Sequence, residues 1–262
     1  MIEIIITALI IFTISLVFSM FGKGGGELYL PVIITLLGIP FYTAAGVSLF
    51  LILLQSLSMI FVYSRKHRLI DWRVALLLAI IVGASSFSGG FVSASIPAIY
   101  LKITFAVFLL ISAFLLFLNK GTKLKLGKFG VWHRVFSGGE YDVHILYLIF
   151  PIAVAAFFAG MVGISGGGLI VPIAVLLGGM PIRIAMGTNT FLVLASSSMG
   201  FLGHLAKSGV DWYLCVVLGI AIITGSQIGS HLHAKIKEKN LRVGLAAILV
   251  FAALWMILRS II

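Results

Sequence analysis

The sequence predicts an all-α polytopic membrane protein made of two inverted-topology repeats. Each repeat is expected to hold a glycine-broken re-entrant or half-helix hairpin plus three spanning helices. Three observations carry this expectation: apolar runs of spanning length, a repeat at an offset of 141 residues, and a lopsided distribution of basic residues. Hydrophobic residues make up 61% of the 262-residue chain and charged residues only 10%, with a mean hydropathy of +1.25. A soluble domain cannot hide that much apolar surface. Barrel strands would alternate apolar and polar residues, whereas these runs are continuous over about 20 residues, the length of a helical span.

The repeat is anchored by two glycine clusters, Gly22-Lys23-Gly24-Gly25-Gly26-Glu27 and Gly163-Ile164-Ser165-Gly166-Gly167-Gly168. Leu28, Pro31, Leu36, Gly38, Pro40, Ala44, Gly46, Phe50 and Leu51 recur as Leu169, Pro172, Leu177, Gly179, Pro181, Ala185, Gly187, Phe191 and Leu192. With three matched glycines, that makes twelve identities in thirty gapless positions. Self-similarity over so long a period marks duplication of a whole structural unit. The boundaries follow as 1–118 for the first membrane repeat, 119–143 for a basic cytoplasmic linker and 144–262 for the second repeat.

Apolar segments run near 3–21, 28–38, 41–63, 72–93 and 98–118, and again near 144–162, 169–179, 182–204, 212–230 and 243–260. The first is preceded by Glu3 and lacks a small-residue cleavage site, so it reads as retained and not as a signal peptide. Segments 28–38 and 169–179 reach only about half a bilayer as helices. Gly38-Pro40 and Gly179-Pro181 end them with a permissive turn and a missing donor. The linker, with Lys120, Lys123, Lys125, Lys128 and Arg134, reads as a loop with room for a short surface helix.

Basic residues set the orientation. If the short segments do not change sides, one face collects eleven Lys and Arg and the other seven. If each glycine cluster is a hairpin tip, the tally becomes fourteen against three: Arg65, Lys66, Arg68, Arg73, the five linker cations, Arg183, Lys235, Lys237, Lys239 and Arg242 oppose Lys102, Lys207 and Arg259. The more polarised count puts the linker in the cytoplasm, both termini outside, and the two halves inverted. It also accounts for the net charge of +11 without nucleic acid.

Each glycine cluster immediately precedes a half-helix N-terminus, where backbone N–H groups and the positive dipole end meet. Irregular backbone at membrane depth is tolerated where it is buried in protein or lines a wet cavity. The expected substrate-binding residues are therefore Lys23, Gly24, Gly25, Gly26, Ser165, Gly166, Gly167 and Gly168, with Thr188 and Asn189 on the helix after the second cluster. Glu27 is the candidate proton-coupling group. Gln55 and Ser196-Ser197-Ser198 are polar residues in apolar runs that can equally bond neighbouring backbone. No metal site, cofactor or catalytic residue is expected; His231 and His233 lack further ligands at metal spacing.

The duplicated Gly-x-x-Gly-Gly cluster, the paired prolines Pro31/Pro40 and Pro172/Pro181, Ala44-x-Gly46 with Ala185-x-Gly187, and Gly209-Val210-Asp211-Trp212 together resemble the TauE/SafE family of membrane permeases. The resemblance covers essentially the whole chain. It implies secondary transport of a small sulfur-containing anion, such as sulfite, a sulfonate or sulfoacetate, across the inner membrane. Expected partners are the small anionic substrate, the lipid bilayer, a coupling proton or other ion, and a second copy in a homo-oligomer. Rival readings are an anion channel, a non-transporting membrane scaffold, and an intramembrane serine protease built on Gly163-Ile164-Ser165-Gly166 with His204. The first cluster carries Gly24 where Ser165 stands, so the shared glycine pattern already explains the protease-like string.

Overall fold

The computed structural model describes residues 2–118, 130–137, 139–207 and 210–233, with seven further positions between 243 and 255. Lys120, Lys123, Lys125, Lys128, Gly209, Lys235, Lys237, Lys239, Arg242 and Arg259 lie outside the described residues, as does most of the apolar segment near 243–260.

The first half forms α1 (Ile2–Ser19), α2 (Gly26–Leu37), α3 (Phe41–Phe61, continued by a π-helical turn Val62–Lys66), α4 (Trp72–Ser93) and α5 (Ala98–Leu118). The second forms α6 (Ile145–Val162), α7 (Gly167–Leu176), α8 (Ile182–Leu205) and α9 (Trp212–Leu232). Among the described residues, five of these stretches are long and apolar enough to cross a membrane: Ile2–Ser19, Phe41–Lys66, Trp72–Ser93, Ile145–Val162 and Trp212–Leu232. The chain is thus a multi-pass membrane protein. Side chains such as Leu9, Ile80, Phe150 and Ile220 point outward, as lipid-facing residues do, while α3 and α8 contribute mostly buried faces.

The short helices α2 and α7 begin on the last two residues of the glycine clusters, at Gly26 and Gly167, two residues before the apolar segments expected at 28–38 and 169–179. At the far end of α2, Gly38 takes the left-handed conformation (φ 65°) and its N–H closes on Ile34 O. Pro40 and Pro181 then open α3 and α8 with nearly equal backbone angles, φ −57° and −58°, because the ring fixes φ at a value the first helical turn already needs.

Packing exchanges elements between the halves. The first helix of each half lies against the fourth of the other: α1 on α9 and α6 on α4. Small residues bring the backbones together at these seams. A side chain at Gly89 would run into Phe157 O and one at Gly229, its counterpart, into Leu16 O; Ser15 Oγ donates to Ile222 O at 2.8 Å.

Helix directions follow from these contacts. On the facing surfaces of α3 and α8, Gly46 approaches His204 while Leu49 approaches Gly200, so rising numbers meet falling ones and the two equivalent helices are antiparallel. By contrast, α1 and α3 run the same way: Gln55 bonds Ser15 and Ser19, and further along Tyr63 bonds Ser19 and Met20. The chain leaving α1 therefore turns back through α2 before α3 sets out again.

The linker differs from its sequence reading. Residues Val131–Phe136 (β1) and Gly139–His144 (β2) pair as an antiparallel hairpin, with Arg134 opposite Tyr141, where a loop or surface helix was expected. The physical reason lies in the alternation of both strands, whose exposed and buried positions alternate along the hairpin, a pattern that the high cation content obscured. The hairpin docks on the bundle: Tyr141 Oη donates to Asp71 Oδ2 at 2.7 Å, and Arg134 donates to both Asp71 oxygens at 2.9 and 2.8 Å.

Asp71 also caps α4, accepting from the Arg73 N–H, just as Asp211 caps α9 by accepting from the Leu214 N–H. Burial alone would push the Asp71 carboxyl up, but the hydrogen bonds from Arg134 and Tyr141 outweigh it and hold the group below the usual aspartate range. A depressed carboxylate stabilises the fold at any pH above that usual range, and the contribution fades only as pH falls through its own lowered value. Docking of the hairpin is therefore intact throughout the neutral range.

Candidate functional site

The two glycine clusters meet. Ile52 and Gln55, near the middle of the Phe41–Lys66 span, flank the first: a Cβ on Gly24 would strike Ile52 and come within 3.0 Å of Ser165 Oγ. One on Gly26 would lie 3.2 Å from Ile164 Cα, and one on Gly167 would lie 3.1 Å from Lys23 Cβ and 3.3 Å from Val193, the counterpart of Ile52. Gly22 and Gly163, which open the clusters, hold φ of +64° and +83°, a region that disfavours any Cβ. Each chain thus leaves its first helix in a left-handed turn and aims a new helix N-terminus at the other.

Every residue of the two tips is buried, Lys23 and Glu27 included, both at 0% exposure. Lys23 Nζ sits 2.7 Å from Glu27 Oε1 and 5.0 Å from the Phe18 ring centroid. Apart from each other, neither side chain has a hydrogen-bond partner among the described residues. Both therefore lie inside the bundle and not at a surface. Four residues apart on the α2 turn, they face each other as (i, i+4) neighbours.

The backbone at the tips is rich in uncommitted donors. Among the described residues, nothing accepts from the N–H groups of Gly24, Gly26 and Glu27 on the first tip, or of Ser165, Gly166, Gly167 and Gly168 on the second. Buried N–H groups are nearly always paired, so seven open donors in one place are unusual. The other tip donors are committed: the N–H groups of Gly22, Lys23, Gly163 and Ile164 donate to carbonyls of the preceding helix, and the Gly25 N–H donates to Gln55 Oε1 at 3.0 Å.

Gln55 holds the first tip as a whole. Its amide oxygen also accepts from Tyr29 Oη at 2.9 Å, and its amide nitrogen donates to Ser19 Oγ at 2.9 Å. The sequence marks Gln55 only as a lone amide in an apolar helix. Its role becomes visible once α1, α2 and α3 are assembled around it.

Thr188 and Asn189 divide the work on α8. Thr188 Oγ1 accepts from the Asp71 N–H at 3.1 Å, toward the hairpin, whereas Asn189 Nδ2 donates to Gly22 O at 3.0 Å, at the first tip. His204 is buried against Gly160 O (3.0 Å) and Ser93 Oγ (3.5 Å), while Ser165 faces Gly24. A cavity of about 580 Å3 lies elsewhere, between α5, α6 and α7, with a mostly apolar lining that includes Phe108, Phe150 and Leu169, and Thr104 as its polar side chain.

Electrostatically, two helix N-termini, each equivalent to about half a positive charge, converge on one buried point. Among the described residues Glu27 is the one acidic side chain there, and Lys23 cancels it. The tips are left with an uncompensated positive field and open donors, a setting suited to a bound anion.

Known proteins resemble this chain over most of its length. The family model described as Sulfite exporter TauE/SafE matches residues 7–256. The chain is 27% identical over 256 residues to the probable membrane transporter protein YunE of Bacillus subtilis, covering 93% of each. It is 26% identical over 262 residues to a probable membrane transporter protein of Methanocaldococcus jannaschii, covering 94% of this chain and 92% of the relative. No solved structure matches this chain.

Proposed function

We propose that this chain, which belongs to the Sulfite exporter TauE/SafE family, is a secondary transporter that carries a small sulfur-containing anion across the inner membrane. Membrane transport is the family's business; the anion, its class and the residues that hold it are our reading. One observation carries it: the two tips and their helix N-termini meet in a buried place where, among the described residues, seven backbone donors are uncommitted and the charged side chains cancel. Lys23, Gly24, Gly25, Gly26, Ser165, Gly166, Gly167, Gly168 and Asn189 hold the anion, and Thr188 braces Asn189 from the side of Asp71. Complete burial of the tips favours a carrier over a continuously open channel.

Glu27 is the coupling group in this reading. As a carboxylate it occupies Lys23; once protonated, it releases the ammonium to an incoming anion, so anion and proton enter together and electroneutrality within the bundle is kept. Nothing in this scheme requires bond chemistry, and the chain acts as a carrier and not as an enzyme. If sulfite, thiosulfate, sulfoacetate, sulfate and taurine are each added to purified protein, at least one raises the thermal midpoint by linkage. A flat response to all five removes the anion.

The antiparallel run of α3 and α8 supports inverted halves, with the linker hairpin in the cytoplasm and both ends of the chain outside. The expected result in a Cys215-substituted background is that introduced cysteines at 64–70 and at 205–210 react from opposite sides of the membrane. Labelling of both from one side overturns the topology.

A further inference from the structure

The tip cluster contains a feature that a site for a bare anion does not need. Asn189 is 1% exposed, and its Nδ2 donates to Gly22 O at 3.0 Å. Gly22 is fixed in its left-handed turn, so its carbonyl cannot swing away. Turning the amide over would set two carbonyl oxygens against each other, which fixes the amide's orientation by chemistry. Oδ1 is thereby committed to the other side, where it finds no donor among the described residues.

The place it occupies is the junction of the tips. Asn189 Nδ2 lies 2.9 Å from the position that a Cβ on Gly167 would take, and Lys23 Cβ lies 3.1 Å from the same position. Ser165 Oγ, at the opposing contact with Gly24, is also buried and unpartnered. Its hydroxyl can donate or accept, whereas the Asn189 oxygen can only accept. A ligand made solely of acceptor oxygens would satisfy the backbone N–H groups and leave Oδ1 facing a lone pair.

We infer that the transported anion brings its own hydrogen-bond donor, which Asn189 Oδ1 accepts. This rests on the anion reading above and narrows it to two sources of the same chemistry: a singly protonated oxyanion, or an anion bearing a hydroxyl or amino substituent. Asn189 is then a specificity-determining residue, since a site built to pair a donor rejects an analogue lacking it, which leaves the buried acceptor unpaired.

Two pairs of equal charge test this on the purified full-length chain by thermal midpoint and by competition for uptake in proteoliposomes. Ethanesulfonate against 2-hydroxyethanesulfonate isolates a substituent donor. Methanesulfonate against hydrogensulfite, in mildly acid buffer, isolates an acid proton. In at least one pair the donor-bearing member is expected to bind about tenfold or more tightly, and Asn189→Leu should abolish that margin by weakening the donor-bearing member alone. Equal binding within both pairs overturns the inference while leaving the anion site standing. Absence of any response to all four compounds overturns the anion site and this inference with it. A margin that survives Asn189→Leu places the acceptor elsewhere; the wild-type comparison decides the donor question even if that variant does not fold.

Discussion

Truncating Lys23 to alanine is expected to destabilise the protein by about 3–5 kcal/mol, the usual cost of stranding one member of a buried ion pair. Lys23 and Glu27 are both fully buried and 2.7 Å apart, and among the described residues neither has a hydrogen-bond partner besides the other. Replacing both at once, Lys23→Met with Glu27→Leu, removes the stranded charge and should restore most of the loss, because apolar pairs of similar volume often match or exceed a buried ion pair in stability. Transport should not return with it. Denaturation midpoints and uptake rates of the two single variants and the double one separate these effects. If Lys23→Ala is as stable as the parent, the pair is solvated and the reading of a buried, charge-cancelled tip is wrong.

The second large effect concerns shape. In Gly167→Val the new side chain would approach Asn189 Nδ2 at 2.9 Å, Lys23 Cβ at 3.1 Å and Val193 at 3.3 Å. Overpacking of this degree costs about 1–3 kcal/mol, so the chain should still fold, yet the tips must separate and their donors no longer converge. Uptake is expected to fall at least tenfold at unchanged expression, a loss of about 1.4 kcal/mol or more in the transport step. Gly46→Ala is the matched control, since a Cβ there meets only Val210 at 3.6 Å and His204 at 4.0 Å. Normal uptake by Gly167→Val would make the clusters packing devices and move the site elsewhere.

Much of this architecture is legible in the sequence because duplication writes the same constraint twice. A single Gly-x-x-Gly-Gly is weak evidence; two copies followed by matching prolines locate α2 and α7, and both helices begin two residues before their apolar segments, on the glycines themselves. Membrane character needs only composition. Other features depend on contacts between distant segments and left little local trace. Gln55 reads as an isolated amide until α1 and α2 pack beside α3. Arg134 reads as one more linker cation, since what distinguishes it is Asp71, sixty-three residues away, and the hairpin that carries it to that partner. Neither long-range pairing has a periodicity to announce it.

The exchanged seams, α1 on α9 and α6 on α4, bear on how such a chain arose. Among the described residues each half's first helix is covered by the fourth helix of the other half, along a stripe of closely approaching backbone. A gene encoding one copy would have met this need by pairing two identical products, with Gly89 and Gly229 descending from one ancestral glycine that contacted a sister chain. Within one chain the two copies need not stay identical. That freedom shows in Lys23 and Glu27 on one side and Ser165 and Asn189 on the other, while Gly89 and Gly229, which bring the backbones together, stayed alike.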